Sequence, residues 1–125
     1  MRWVRFERDD EIAYGILEEE HVEAVQGDPF DGYERTGRRW PLSEVRLRVP
    51  FEPKTFYAAG LNYAEHVTHA AALLGRPVDL PAKPDIGYRA VNALIADGDD
   101  VVIPRDATEK VHYEGELVVV IGRQA

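Results

Sequence analysis

Cysteine is missing from this chain altogether. Its absence excludes disulfides, thiolate metal sites and cysteine nucleophiles. Long apolar runs are missing too: no stretch approaches the roughly 18 consecutive apolar residues that span a bilayer. The start, Met1 to Glu7, has no apolar signal core, so a cytoplasmic location is the expectation. Positive charge is scarce. With 15 Lys and Arg against 23 Asp and Glu, the formal net charge is -8. Nucleic-acid backbones and anionic membranes reward clustered cations, so neither is expected as a partner. A cation or a small molecule suits this charge balance better. There is no internal repeat and no low-complexity tract.

What the chain does contain is short apolar segments separated by turn residues. At 125 residues and 45% hydrophobic it can build a core. Strands are predicted at Trp3–Arg8, Ile12–Leu17, His21–Val25 and Val45–Val49, with turns at Asp9-Asp10, Gly27-Asp28-Pro29 and Thr36-Gly37. Pro50 and Pro53 mark a boundary, which divides the chain into a small β domain, 1–52, and a second unit, 53–125. Phe56 to Ala59 reads as an apolar strand. Asn62 followed by Glu65 has the spacing of a capping box, so a helix is expected from there to about Leu74, with Gly75 and Pro77 as stop signals. A hairpin is predicted from Ala93-Leu94-Ile95 through Asp97-Gly98-Asp99-Asp100 to Val101-Val102-Ile103. The fold class is therefore mainly β with one or two short helices, α+β.

The most informative segment runs from His112 to Gly122. Its apolar end reads as a buried strand, yet it carries Glu114 and Glu116. On a strand these two carboxylates and His112 project from one face, while Tyr113, Leu117, Val119 and Ile121 project from the other. Burying two unpaired like charges would cost several kcal/mol, so a positive charge is expected between them. Hard oxygen ligands suit Mg²⁺, Ca²⁺ or Mn²⁺. A solvated strand end accounts for a Glu-x-Glu pattern equally well. The abrupt end of such a strand leads to the expectation that the chain is incomplete or needs another polypeptide.

Other residues carry chemistry of their own. His66, with His69 three positions on and hence on a similar helix face, could act as a general base, because imidazole exchanges a proton near neutrality. A surface histidine is the plainer reading. The pair could also hold a transition metal, although no third ligand is near in sequence. Arg89 is a single basic residue in an apolar stretch. It could grip a substrate carboxylate through two hydrogen bonds or form a strand-edge salt bridge.

Three stretches together resemble the fumarylacetoacetate hydrolase family. Gly60 to His66 is similar to that family's Gly-x-Asn-Tyr-x-x-His segment, Ala93 to Pro104 to its hairpin, and Tyr113 to Gly122 to its metal-binding strand. The resemblance covers about Phe56 to Gly122, and the preceding β unit is similar to an N-terminal domain that many members carry. It implies that residues 53–125 begin a mixed β-roll. It further implies that Glu114 and Glu116 are metal ligands for Mg²⁺ (Ca²⁺ or Mn²⁺ being possible), that His66 is the general base, and that Tyr63 and Arg89 bind substrate. Arg89 falls where many members place a substrate-facing lysine. His69 stands where relatives often have a glutamate that pairs with the histidine.

The implied function is that of an N-terminal part of a divalent-metal-dependent enzyme for oxo-acid or diketone substrates. It would act by C–C hydrolysis, isomerisation, hydration or decarboxylation through a metal-bound enolate. The resemblance also implies a role in aromatic catabolism and, for the full-length form, a homodimer. The competing expectation is a non-catalytic fragment or accessory domain that associates with itself or with a partner chain through exposed strand edges.

Overall fold

Short segments of strand-forming residues fill the first fifty positions, and tight turns between them make successive strands pair with their sequence neighbours. In the computed structural model, which describes residues 1–107 and 111–123, β1 (Arg2–Arg8), β2 (Glu11–Glu18), β3 (His21–Asp28) and β4 (Gly32–Pro41) form an antiparallel meander. A 3-10 turn at Leu42–Glu44 leads into β5 (Arg46–Arg48), which pairs with β1 and completes a five-stranded sheet of order β4-β3-β2-β1-β5. Asp9 and Asp10 adopt φ of 50° and 65°, the left-handed pair that matches the twist of a tight hairpin. Asp28 closes the turn before β4 by accepting hydrogen bonds from the Phe30 and Asp31 amides at 2.7 and 3.0 Å.

The four strands expected in this region are present, and β4 is an addition to them. Thr36-Gly37 was expected to be a turn and instead lies inside β4. There Val25 pairs with Arg35 and Glu23 with Arg39, so Thr36, Gly37 and Arg38 bulge opposite Ala24, with Gly37 at φ 74°. Residues Gly32 to Arg39 are exposed and show no apolar alternation, which is why sequence periodicity does not reveal the strand.

Phe6, Val22 and Ala24 are the buried centre of the sheet's core, and Val4, Ala13, Leu17, Trp40, Leu42, Val45 and Leu47 pack around them. Gly15 makes this packing possible. A Cβ there would lie 2.7 Å from Val22 Cγ1, 2.9 Å from the Glu23 carbonyl oxygen and 2.9 Å from Phe6 Cε1. Gly15→Ala is therefore expected to destabilise the protein by about 1–3 kcal/mol, the usual range for overpacking, as read by urea denaturation. An unchanged midpoint would show that β2 does not approach β3 this closely.

The chain divides into two compact units, Met1–Phe51 with the segment from Ile95 onward, and Glu52–Leu94. In the first, the segment from Ile95 turns at Asp97-Gly98, where the Asp99 carboxylate accepts from the Ala96 amide at 3.0 Å and pairs with Arg46 at 2.8 Å. The Arg46 guanidinium, helped by that amide, holds the Asp99 carboxyl below its ordinary range. Two predicted elements are absent among the described residues. In the second unit Val91–Ala93 forms a 3-10 turn, and neither Ala93-Leu94-Ile95 nor Val101-Val102-Ile103 belongs to a strand. The strand expected from Tyr113 to Gly122 is irregular backbone, and Tyr113, Leu117 and Ile121 are 99%, 85% and 80% exposed. A strand exists only where a neighbour takes its hydrogen bonds in a ladder, and among the described residues neither sheet includes this segment. Its far end is tied down by Arg123, which donates twice to the Phe30 carbonyl oxygen at 3.0 and 2.7 Å.

In the second unit, β6 (Phe56–Gly60) pairs antiparallel with β7 (Asp85–Arg89), and α1 (Ala64–Leu73) lies between them in sequence. β7 carries little sequence signal, since Gly87 interrupts it and Asp85 and Arg89 bound it. The helix stop is the expected one. Gly75, at φ 60°, donates to the Ala72 carbonyl and Arg76 to that of Ala71, a Schellman closure. The start differs from the capping box expected at Asn62: Tyr63 is the N-cap, without a side-chain cap bond. Leu61 takes φ 52°, so the chain enters the helix one residue later than the spacing suggested. The described residues form a mainly β fold with one α-helix, an α+β arrangement, and among them no helix is long and apolar enough to cross a membrane.

Candidate functional site

Three of the five candidate site residues, Tyr63, His66 and Arg89, belong to the unit 52–94, and all three are exposed. His66 is the third residue of α1 and His69 follows within the same helix, so helix periodicity sets both imidazoles on neighbouring positions of one surface. Tyr63 precedes the first helical residue, where its carbonyl oxygen accepts from the Val67 amide at 3.1 Å. Arg89 ends β7 directly opposite Phe56. Its Nη1 donates to the Tyr88 carbonyl oxygen at 3.1 Å, and the guanidinium lies over Gly87, where a Cβ would stand 2.8 Å from Nη1. The small residue beneath it thus gives the cation room to lie along the sheet.

The other two, Glu114 and Glu116, belong to the first unit, on the irregular segment after Ile95, and both are exposed. Their carboxylates supply hard oxygen donors, the chemistry that Mg²⁺ or Ca²⁺ requires. Two carboxylates do not complete a coordination shell. Among the described residues no group of three or more His, Asp or Glu side chains converges on a point that could hold a metal ion. The burial and the strand geometry expected for this pair are not observed: both residues are exposed, and among the described residues neither sheet includes them.

One aromatic pair has no signature in the sequence. Tyr57 and Tyr88 are direct neighbours across β6 and β7, with ring centroids 4.7 Å apart and hydroxyls 3.2 Å apart. That hydrogen bond raises the Tyr57 phenol above its ordinary pKa. The pair was not detectable without β7, whose register alone brings the two rings together.

Comparisons with known proteins divide the chain once, just after residue 50. Residues 1–50 match the family model described as Rv2993c-like, N-terminal, and residues 55–125 match that of the fumarylacetoacetate (FAA) hydrolase C-terminal domain. Protein Rv2993c of Mycobacterium tuberculosis is 35% identical over 130 residues, covering 98% of this chain and 46% of that protein. The homoprotocatechuate catabolism bifunctional isomerase/decarboxylase of Escherichia coli is 43% identical over 77 residues, covering 62% of this chain and 16% of that protein. Among solved structures, 5-carboxymethyl-2-hydroxymuconate delta-isomerase from Mycobacterium smegmatis superposes with a TM-score of 0.59 at 30% identity, covering 76% of this chain and 35% of that one. The chain thus spans less than half the length of each of these three proteins. Since one family model matches more than half of its residues, Tyr63, His66, Arg89, Glu114 and Glu116 among them, the chain belongs to the fumarylacetoacetate hydrolase family.

Proposed function

We propose that this chain contributes part of a divalent-metal-dependent enzyme that moves a proton at the carbon beside a carbonyl of an oxo-acid or diketone. The observation that carries this reading is the family match over 55–125, which contains every candidate site residue. Relatives named as isomerase and isomerase/decarboxylase support isomerisation or decarboxylation, with C–C hydrolysis and hydration as related outcomes, and one such name supports a place in aromatic catabolism. In this reading Glu114 and Glu116 hold the cation, Mg²⁺ suiting them best and Ca²⁺ or Mn²⁺ also fitting. A divalent ion bound there would polarise the substrate carbonyl. His66 takes and returns the proton, Arg89 grips a substrate carboxylate with its planar fork, and the Tyr63 hydroxyl orients a polar group of the substrate. A cytoplasmic homodimer is the form proposed for the whole protein.

Isothermal titration with Mg²⁺, on a polypeptide carrying the complete family domain, tests the ligand assignment. Glu116→Gln is expected to weaken binding at least about tenfold, since it removes an anionic donor from a hard-cation site. Equal Mg²⁺ affinity in the variant and the parent would remove Glu116 from the site. A second reading is favoured by the exposure of Leu117, Val118, Val119 and Ile121: an accessory module that self-associates or binds a partner chain. Light scattering that shows concentration-dependent oligomers, together with no heat from Mg²⁺, would support the module over the enzyme.

A further inference from the structure

We propose that Glu23 is an acid-releasable latch that holds edge strand β4 against the rest of the sheet. β4 has little else to hold it at its bulge. From Gly32 to Arg39 every residue is exposed, and the ladder to β3 is interrupted between the Val25–Arg35 and Glu23–Arg39 pairs. The donors freed by that interruption are taken up by side chains. Glu23, 7% exposed, accepts from Arg35 at Oε2, with Nε at 3.1 Å and Nη2 at 2.5 Å, and from the Gly37 amide at Oε1, at 3.3 Å. Thr36 Oγ1 donates to the Ala24 carbonyl oxygen at 2.7 Å and accepts from the Arg38 amide at 3.2 Å. A single carboxylate therefore spans the bulge, joining a side chain on one side of Thr36 to a backbone amide on the other.

The charged groups around it come from both neighbouring strands. Glu18 on β2 pairs with Arg35 at 2.8 Å and lies 3.7 Å from Arg39, both on β4, while His21 is exposed two positions before Glu23 on β3. Arg35's hydrogen bonds hold the Glu23 carboxyl below its ordinary range against the opposing effect of burial, and the Gly37 amide adds to them. A carboxyl lowered in the folded state contributes stability that is complete above the unfolded value, about 4.3 for glutamate, and is lost as pH falls through the lower folded value. Protonation converts one acceptor oxygen into a donor facing Arg35 and Gly37, which both donate. The bulge then loses its clamp while Glu18 can still hold Arg35 from β2. The release is therefore local to Thr36–Arg38 before it is global.

Hydrogen–deuterium exchange of the full chain, with rates corrected for the intrinsic pH dependence, tests this. Glu23→Gln at pH 7 is expected to lower protection of the Gly37–Arg39 amides about tenfold, the scale of one lost charged hydrogen bond, while amides of β1 and β2 keep theirs. The parent protein is expected to show the same local loss on acidification to pH values below the ordinary glutamate range, before β2 loses protection. Glu18→Gln should leave Gly37 protected. Unchanged protection in Glu23→Gln, or a loss shared evenly by β1, β2 and β4, would overturn the latch. If Glu23→Gln does not fold, the order of protection loss in the acidified parent decides: β4 first supports the latch, and a single concerted step refutes it.

Discussion

His66→Ala is expected to lower kcat by about 10²–10⁴, the usual contribution of a positioned general base, in a polypeptide carrying the complete family domain. The ring is solvent-accessible near the start of α1, and no described hydrogen bond or core contact ties it into the fold, so its removal should leave the circular dichroism spectrum and the thermal midpoint intact. That separation gives the test its force: a large loss of turnover with no loss of stability marks a chemical role. The loss should fall on kcat more than on KM, because the proton is in flight only in the transition state. His69→Ala on the same helix serves as the control and should leave turnover essentially unchanged. Retained kcat in His66→Ala would remove this residue from the proton transfer. Tight Zn²⁺ binding that disappears in His69→Ala would instead favour a transition-metal pair on the helix.

Phe6→Ala is expected to cost about 3–5 kcal/mol of stability, the range for deleting a buried phenylalanine side chain. Phe6 is 2% exposed at the centre of the sheet's core, beside Trp40 with ring centroids 5.8 Å apart, and its edge fills the space that Gly15 leaves open. The buried apolar set among the described residues is small: Phe6, Ile16, Val22, Ala24 and Val25. Against a typical domain stability of about 5–15 kcal/mol, the loss of one such residue consumes much of the total. Chemical denaturation followed by far-ultraviolet circular dichroism measures it without relying on Trp40, whose surroundings change in the variant. Phe6→Leu, which keeps most of the volume, should cost less than about 1.5 kcal/mol. A loss below about 1 kcal/mol in Phe6→Ala would mean that the core lies elsewhere.

Legibility in the sequence followed the physics of each element. β1, β3 and β5 were readable because apolar and polar residues alternate there, β2 and β6 because they are short apolar runs bounded by turn residues, and the end of α1 because Gly75 can adopt the left-handed conformation that closes a helix. β4 and β7 were not. The exposed residues of β4 carry no apolar period, and its Thr36-Gly37 looks like a turn when it is a bulge. The Glu114–Glu116 segment shows the opposite failure, a strong strand pattern without a strand, because propensity cannot supply a ladder partner.

By itself the sequence determined the composition class, the mainly β character and the family, since these rest on local alternation, turn chemistry and motif spacing that the chain carries residue by residue. It also singled out His66, Arg89, Tyr63, Glu114 and Glu116 by type and position. Tertiary structure alone decided the order of the five-stranded sheet, the bulge that Glu23 spans, the meeting of Tyr57 with Tyr88 and the irregular course of the glutamate segment. Each of these depends on a hydrogen-bond partner far away in the chain, and which distant backbone takes that role is settled by pairing and packing rather than by local preference.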